Sequence, residues 1–106
     1  MRTLSIDIET YSGTDLTKSG VYRYVEDPDF DILLFGYAFD DDPVEVIDLT
    51  ERVLPADVQD ALFDSEVLKT AYNAAFEITC LRQWFGPCYA LNADQWEDTM
   101  ILAAAV

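Results

Sequence analysis

The chain has 106 residues, 51% of them apolar, with 21 Asp and Glu against six Lys and Arg and a formal net charge of −15. That length allows one domain with a single core, and the apolar content excludes a disordered chain despite the charge. The complete absence of histidine excludes Ser-His, Cys-His and His-metal chemistry, leaving carboxylates, tyrosines and metals to do any work.

Cys80 and Cys88 are too few and too widely spaced for a disulfide framework or a zinc knuckle, and Cys80 reads as core. No apolar run approaches the ~20 residues that span a bilayer. Met1-Arg2 leads straight into a strand with no signal-peptide pattern, which points to a cytoplasmic protein with no membrane partner. A nucleic-acid binder ordinarily shows a basic footprint, the opposite of this balance. Three explanations stand: metal ions mediate any contact with phosphate, other parts of a longer protein supply the basic surface, or nucleic acid is not the ligand.

The first element is the strand Leu4-Ser5-Ile6-Asp7-Ile8-Glu9-Thr10. A period of two sends Leu4, Ile6 and Ile8 to one face and Ser5, Asp7 and Glu9 to the other. The Cα atoms of Asp7 and Glu9 are then roughly 6.6 Å apart, so both carboxylates can reach one ion. Without a cation they repel, and one tends to hold its proton. Oxygen-only ligands favour Mg²⁺ or Mn²⁺ over zinc. An isolated Asp-x-Glu is also compatible with a solvated strand end.

Thr10 to Asp15 is rich in turn formers. Leu16 to Val25 is a short helix or an irregular packed segment, with Leu16, Val21, Tyr22 and Val25 as expected anchors, and Tyr11, Tyr22 and Tyr24 read as packing aromatics. Ile32 to Phe39 is apolar on both alternating faces, which suits a strand covered on both sides. Asp40-Asp41-Asp42-Pro43 reads as a solvated turn, and Val44 to Leu49 as the returning strand of a hairpin. Pro55 suits the first turn of a helix whose apolar stripe is Val58, Ala61 and Leu62, ending near Phe63. Val67 to Ala71 is a short strand, so the sheet is mixed, with a right-handed crossover between its parallel strands.

Asn73-Ala74-Ala75-Phe76-Glu77 opens a helix that runs to about Phe85 and stops at Gly86-Pro87. Phe76, Cys80, Leu81, Trp84 and Phe85 spread over one half of it, and Glu77 falls in the middle of that stripe. A carboxylate there is costly unless paired, hydrogen-bonded or bound to a metal. In the first turn it can also lie at the carboxyl end of the preceding strand, where open α/β sheets bind ligands. A first-turn Glu favoured by the helix dipole is the plainer alternative. Asn92 to Glu97 is a last strand or a loop. Asp98 or Thr99 is expected to cap a helix through Met100, Ile101, Leu102 and Ala103, and the run to Val106 has no stop signal, which reads as a fragment.

Asp7-Ile8-Glu9-Thr10 followed by Asn73-Ala74-Ala75-Phe76-Glu77 resembles the DnaQ-like (DEDD) exonucleases, and more narrowly the proofreading 3′-5′ exonuclease domain of bacteriophage-type family A DNA polymerases. The likeness covers almost the whole chain, including Tyr22-Arg23-Tyr24. It implies an α/β, ribonuclease H-like fold: a mixed sheet with three antiparallel strands first and parallel strands after, flanked by helices. It also implies two divalent ions, Mg²⁺ or Mn²⁺, a single-stranded DNA 3′ end as substrate and a polymerase domain in the longer parent.

By the same resemblance Asp7, Glu9 and Glu77 are the catalytic metal ligands, and Thr10, Asn73 and Phe76 hold the terminal nucleotide. Two departures stand out. Glu77 occupies a position where the family usually has aspartate. The third motif, Tyr-x-x-x-Asp or His-x-x-x-x-Asp downstream of the second, would lie beyond Val106, making residues 1–106 the N-terminal part of the domain. The rival outside enzymes is an acidic, non-catalytic interaction module or DNA mimic. Within enzymes it is an RNA-directed exonuclease of the same superfamily.

Overall fold

In the computed structural model, which describes residues 2–51, 53–86 and 91–99, the alternation of the first strand organises the sheet. β1 (Arg2–Tyr11) buries Leu4, Ile6 and Ile8 and exposes Ser5, Asp7 and Glu9. Each buried aliphatic of this size contributes about 1.5–3 kcal/mol relative to leaving it in water, so the register of β1 is strongly held.

β2 (Asp31–Phe39) lies antiparallel to β1, pairing Leu4 with Phe39, Ile6 with Tyr37 and Ile8 with Phe35, and thereby extends the same apolar face. The β1–β2 register shifts between Glu9 and Thr10, where Glu9 faces Leu34 but Thr10 faces Ile32. β3 (Glu45–Asp48) closes the hairpin antiparallel to β2. The Asp40–Pro43 connection is the expected turn, with Asp40 at φ 49. Its carboxylate accepts the Thr3 N–H at 2.9 Å, tying the turn to β1. β2 is covered on both sides from Phe35 to Phe39 but not before. Leu34 is exposed, as is Val46 on the same side of β3, because among the described residues the helices contribute their core side chains to the Leu4–Ile6–Ile8 face.

α1 (Leu16–Glu26) is capped by Asp15, whose carboxylate accepts the Thr17 N–H, and it is kinked at Gly20, which sits at φ 82. Of its expected anchors, Val25 is buried and Val21 partly so, while Leu16 and Tyr22 are exposed. Tyr11 is exposed too, which leaves Tyr24 as the packing tyrosine of the three. α2 (Ala56–Phe63) follows Pro55, which stands at the cap position one residue earlier than expected, and buries Val58, Ala61 and Leu62.

β4 (Val67–Ala71) runs parallel to β1, and β5 (Trp96–Asp98) runs parallel to β4 after a 3-10 turn at Ala93–Gln95, giving the order β3-β2-β1-β4-β5. The sheet is mixed as the sequence implies. β4 pairs with Arg2 to Ser5 alone, so the half of β1 that carries Asp7 and Glu9 has β2 on one edge and no β4 pairing on the other. α3 (Ala74–Phe85) packs beside that free edge and buries Cys80 and Leu81 with the core. Gly86 ends it at φ 96. Pro87, Cys88 and the helix expected over Met100–Ala103 lie outside the described residues. Among the described residues no helix is long and apolar enough to cross a membrane.

Candidate functional site

Three carboxyl groups lie within electrostatic reach of one another at the free edge of β1. Asp7 and Glu9 come from the exposed side of the strand, as the alternation requires. Gly36 stands opposite Asp7, and a Cβ built there would lie 3.1 Å from the Asp7 carbonyl oxygen, so the glycine permits this close approach.

The third group arrives on α3. Asn73 precedes that helix in a left-handed conformation, φ 67 and ψ 63, which asparagine tolerates better than most residues. Its side chain makes no capping bond. The cap comes instead from β5, where the Asp98 carboxylate accepts the Asn73 N–H at 3.0 Å and the Ala74 N–H at 3.1 Å. A carboxylate suits this place because it satisfies donors the helix leaves unpaired and complements the positive end of the helix dipole. Asp98 therefore ends β5 and caps the preceding helix α3, and Thr99 directly after it is already helical, where the sequence places a helix start.

The Asn73 carbonyl accepts the N–H groups of Phe76 and Glu77 at 3.1 and 3.4 Å, which sets Glu77 in the first turn. Its side chain is only 5% exposed, and its Oε2 has no hydrogen-bond partner. Burial pushes its pKa from the ordinary 4.5 up to about 8. The negative charge of Asp7 adds to this, a hydrogen bond from the Ile8 backbone N–H pulls the other way, and Glu9 raises it further. Burial beside two negative charges favours the protonated form of this carboxyl.

The donors at this corner are all oxygen, the set that hard divalent cations prefer. The orphaned Oε2 is where a cation would replace the missing partner. The side chains are not already drawn together, and among the described residues no three Cys, Asp or Glu groups form a ready metal cage. The corner thus suits a divalent ion in donor type and charge, and binding one requires Glu77 to release its proton.

Thr10 and Phe76 belong to a second, adjoining cluster. Thr10 follows Glu9, but its hydroxyl pairs with the Tyr24 hydroxyl at 2.8 Å. The Tyr24 ring lies 6.0 Å from the Phe76 ring and 5.9 Å from that of Phe30. Of the six residues singled out in the sequence, Asp7, Glu9 and Glu77 thus share one corner, Thr10 and Phe76 meet through Tyr24, and Asn73 stands exposed at the start of α3. Sequence reading undervalued Tyr24, whose place one turn from Val21 and next to Val25 does mark it as inward-facing. Asp98 has no comparable signal, because its partners lie 24 and 25 residues away.

Among the described residues a five-stranded mixed sheet, the three helices α1 to α3 and the acidic groups at the edge of the first strand define a mixed α/β protein. Over its whole length the chain is 55% identical to part of the DNA polymerase of Bacillus phage SP02, and it spans 16% of that protein. It is therefore related to a segment of a phage DNA polymerase. Among solved structures it is similar to a chain in the structure of the yeast NOT1 MIF4G domain co-crystallized with CAF1. That likeness covers 98% of this chain and 62% of the other, with a TM-score of 0.56 and 11% identity, and it bears on the fold alone. No family model matches the chain.

Proposed function

We propose that this chain is the N-terminal part of a ribonuclease H-like, divalent-metal-dependent 3′-5′ exonuclease domain that proofreads for an attached polymerase, its last carboxylate supplied from outside these 106 residues. The observation that carries this reading is Glu77: a buried carboxyl with an unpartnered oxygen, within electrostatic reach of Asp7 and Glu9. One oxygen accepts the Ile8 N–H at a stretch of β1 that β4 does not pair, but the other has no partner to offset its desolvation. The polymerase relative supports the same reading, since a proofreading activity acts beside a polymerase site.

In this reading Asp7, Glu9 and Glu77 hold Mg²⁺ or Mn²⁺. When bound, such ions supply an activated water and stabilise the leaving 3′ oxygen. The chain's own contribution is to hold three oxygen ligands at a strand edge, to release the Glu77 proton when the ligand arrives, and to seat the terminal nucleotide of a single strand with Thr10, Asn73 and Phe76. The metal also lets an acidic surface accept phosphate.

The test is degradation of a 3′-labelled single-stranded oligonucleotide by the parent protein in Mg²⁺. Asp7→Ala, Glu9→Ala and Glu77→Ala should each lower turnover at least 100-fold, on the order expected for loss of a metal ligand, with polymerase activity retained. Wild-type rates in the Asp7→Ala and Glu9→Ala variants would sink the assignment.

A second reading draws on the net charge of −15 and on the carboxyl groups not forming a ready cage. It makes the chain an acidic, non-catalytic module or DNA mimic that occupies a DNA-binding partner. It requires binding that is indifferent to Mg²⁺ and to Asp7→Ala.

A further inference from the structure

Tyr24 connects three segments that are distant in sequence. Its hydroxyl meets Thr10 Oγ1 at 2.8 Å, at the end of β1 and one residue past Glu9. Its ring contacts Phe76, which neighbours Glu77 on α3. An edge-to-face contact with Phe30 steadies the ring from the other side. The backbone is held as well. Ser12 Oγ donates to the Tyr24 carbonyl at 2.7 Å, and Thr14 Oγ1 donates to Asp27 Oδ2 at 2.7 Å, so the loop after β1 is pinned to the end of α1 at Tyr24 and again at Asp27. The kink at Gly20 separates this turn from the first half of the helix, leaving Tyr24 to follow β1 and α3.

Burial does not demand the Tyr24–Thr10 bond. Thr10, Tyr24 and Phe76 are all half-buried, and water could satisfy either hydroxyl. What the bond does is fix the side chain of Thr10 beside the acidic corner, while the ring fixes Phe76. A phenol suits this task because it orders a large contact area at the cost of two side-chain torsions.

We infer that Tyr24 is a positioning residue that locks Thr10 and Phe76 into one preformed seat for the terminal nucleotide of a single strand. This inference rests on the exonuclease reading of the acidic corner. Tyr24 takes no part in chemistry; it acts through Thr10 by its hydroxyl and through Phe76 by its ring.

The test is binding of 5′-fluorescein-labelled dT8 to the parent protein in Ca²⁺, which occupies hard-cation sites without driving turnover, read by anisotropy beside a thermal melt of each variant. Tyr24→Phe keeps the ring and removes the hydroxyl, and it should weaken binding roughly fivefold, the scale of one hydrogen bond, with an unshifted melt. Tyr24→Leu removes both and should weaken it further. The decisive readout is the cycle with Thr10→Val: that change should cost about fivefold in the wild type and almost nothing in Tyr24→Phe. Equal binding by Tyr24→Phe and wild type, or additive losses in the cycle, would overturn the positioning role while leaving the nuclease reading intact. Absence of dT8 binding by the wild type would overturn both.

Discussion

Lys69 and Glu77 are the two charged side chains that the described residues bury, at 1% and 5% exposure, and the molecule treats them in opposite ways. Lys69 points from β4 into the core, and its Nζ donates to the carbonyls of Asp64 and Val67, each at 2.8 Å. Those carbonyls belong to the turn that ends α2 and starts β4, so the ammonium fastens a connection. Burial lowers its pKa, and the Asp64 carboxylate works against the shift. Glu77 has one oxygen with no partner and two further negative charges in front of it. The contrast shows that burial of a charge does not by itself mark a site. What sets Glu77 apart from Lys69 is an unfilled place in its hydrogen bonding.

If Lys69 is structural, removing it should give the largest stability loss and leave any metal response untouched. Lys69→Ala deletes three carbons of a buried stem and strips a donor from two carbonyls, so it should cost about 3 kcal/mol in urea unfolding. Lys69→Met keeps most of the stem and should cost roughly half as much. The shift in melting temperature on adding Mn²⁺ should match wild type in both. A near-neutral Lys69→Ala would mean that the ammonium is no better accommodated than the Glu77 carboxyl, and the comparison would collapse.

Glu77 should behave in the reverse manner. Its pKa is about 8 when folded against 4.5 when free, so between those values the unfolded chain has released a proton that the fold retains. Raising the pH through this window therefore favours unfolding. The stability associated with Glu77 is complete below pH 4.5 and is lost as pH passes 8. Asp15, Asp27 and Asp48 act in the opposite sense at lower pH. Hydrogen bonds from the Thr17 hydroxyl, the Asp29 N–H and the Thr50 hydroxyl hold them below their usual 3.8, so their effects do not overlap the window. Glu77→Gln should flatten the fall between pH 5 and 8 and be more stable than wild type at pH 8 by about 2 kcal/mol. Mn²⁺ should raise the wild-type melting temperature at pH 8 far more than at pH 5 and leave Glu77→Gln almost unmoved. A wild-type profile that is flat over this range, or a Gln variant that responds equally to Mn²⁺, would remove Glu77 from the candidate ligands.

These contrasts were partly legible in the sequence. The alternation in Leu4–Thr10 places Asp7 and Glu9 on one face, and the helical stripe from Phe76 to Phe85 places Glu77 among apolar neighbours, because both are local periodicities. The burial of Lys69 is not legible in the sequence because a lysine in a five-residue strand reads as exposed, and the carbonyls that receive it are made available by a turn whose shape the sequence does not specify. Leu16 and Tyr22 read as anchors of a segment that is either helical or irregular, but they stand exposed on either side of the Gly20 kink, which interrupts the helical phase between them. Phe35 to Phe39 is correctly read as doubly covered, whereas Leu34 is not, since coverage depends on where the helices land across the sheet.

Asp98 sets the finest version of the comparison, because it is a carboxylate that serves Glu77 without sharing its surroundings. Its two oxygens take the Asn73 and Ala74 N–H groups, and the left-handed turn at Asn73 is held from outside by that pair of bonds. Asp98→Ala should cost about 1 kcal/mol, the usual value of an N-terminal cap, with the loss appearing as faster amide exchange in the first turn of α3. Asp98→Asn retains an acceptor for one N–H and should lose less. If Asp98 acts on the acidic corner only by fixing α3, then the pH at which Glu77 titrates should stay near 8 in Asp98→Ala, while the Mn²⁺-induced rise in melting temperature shrinks because the ligand is less well held. A Glu77 pKa that instead fell toward 4.5 would show that the α3 cap, rather than burial against β1, keeps this carboxyl protonated.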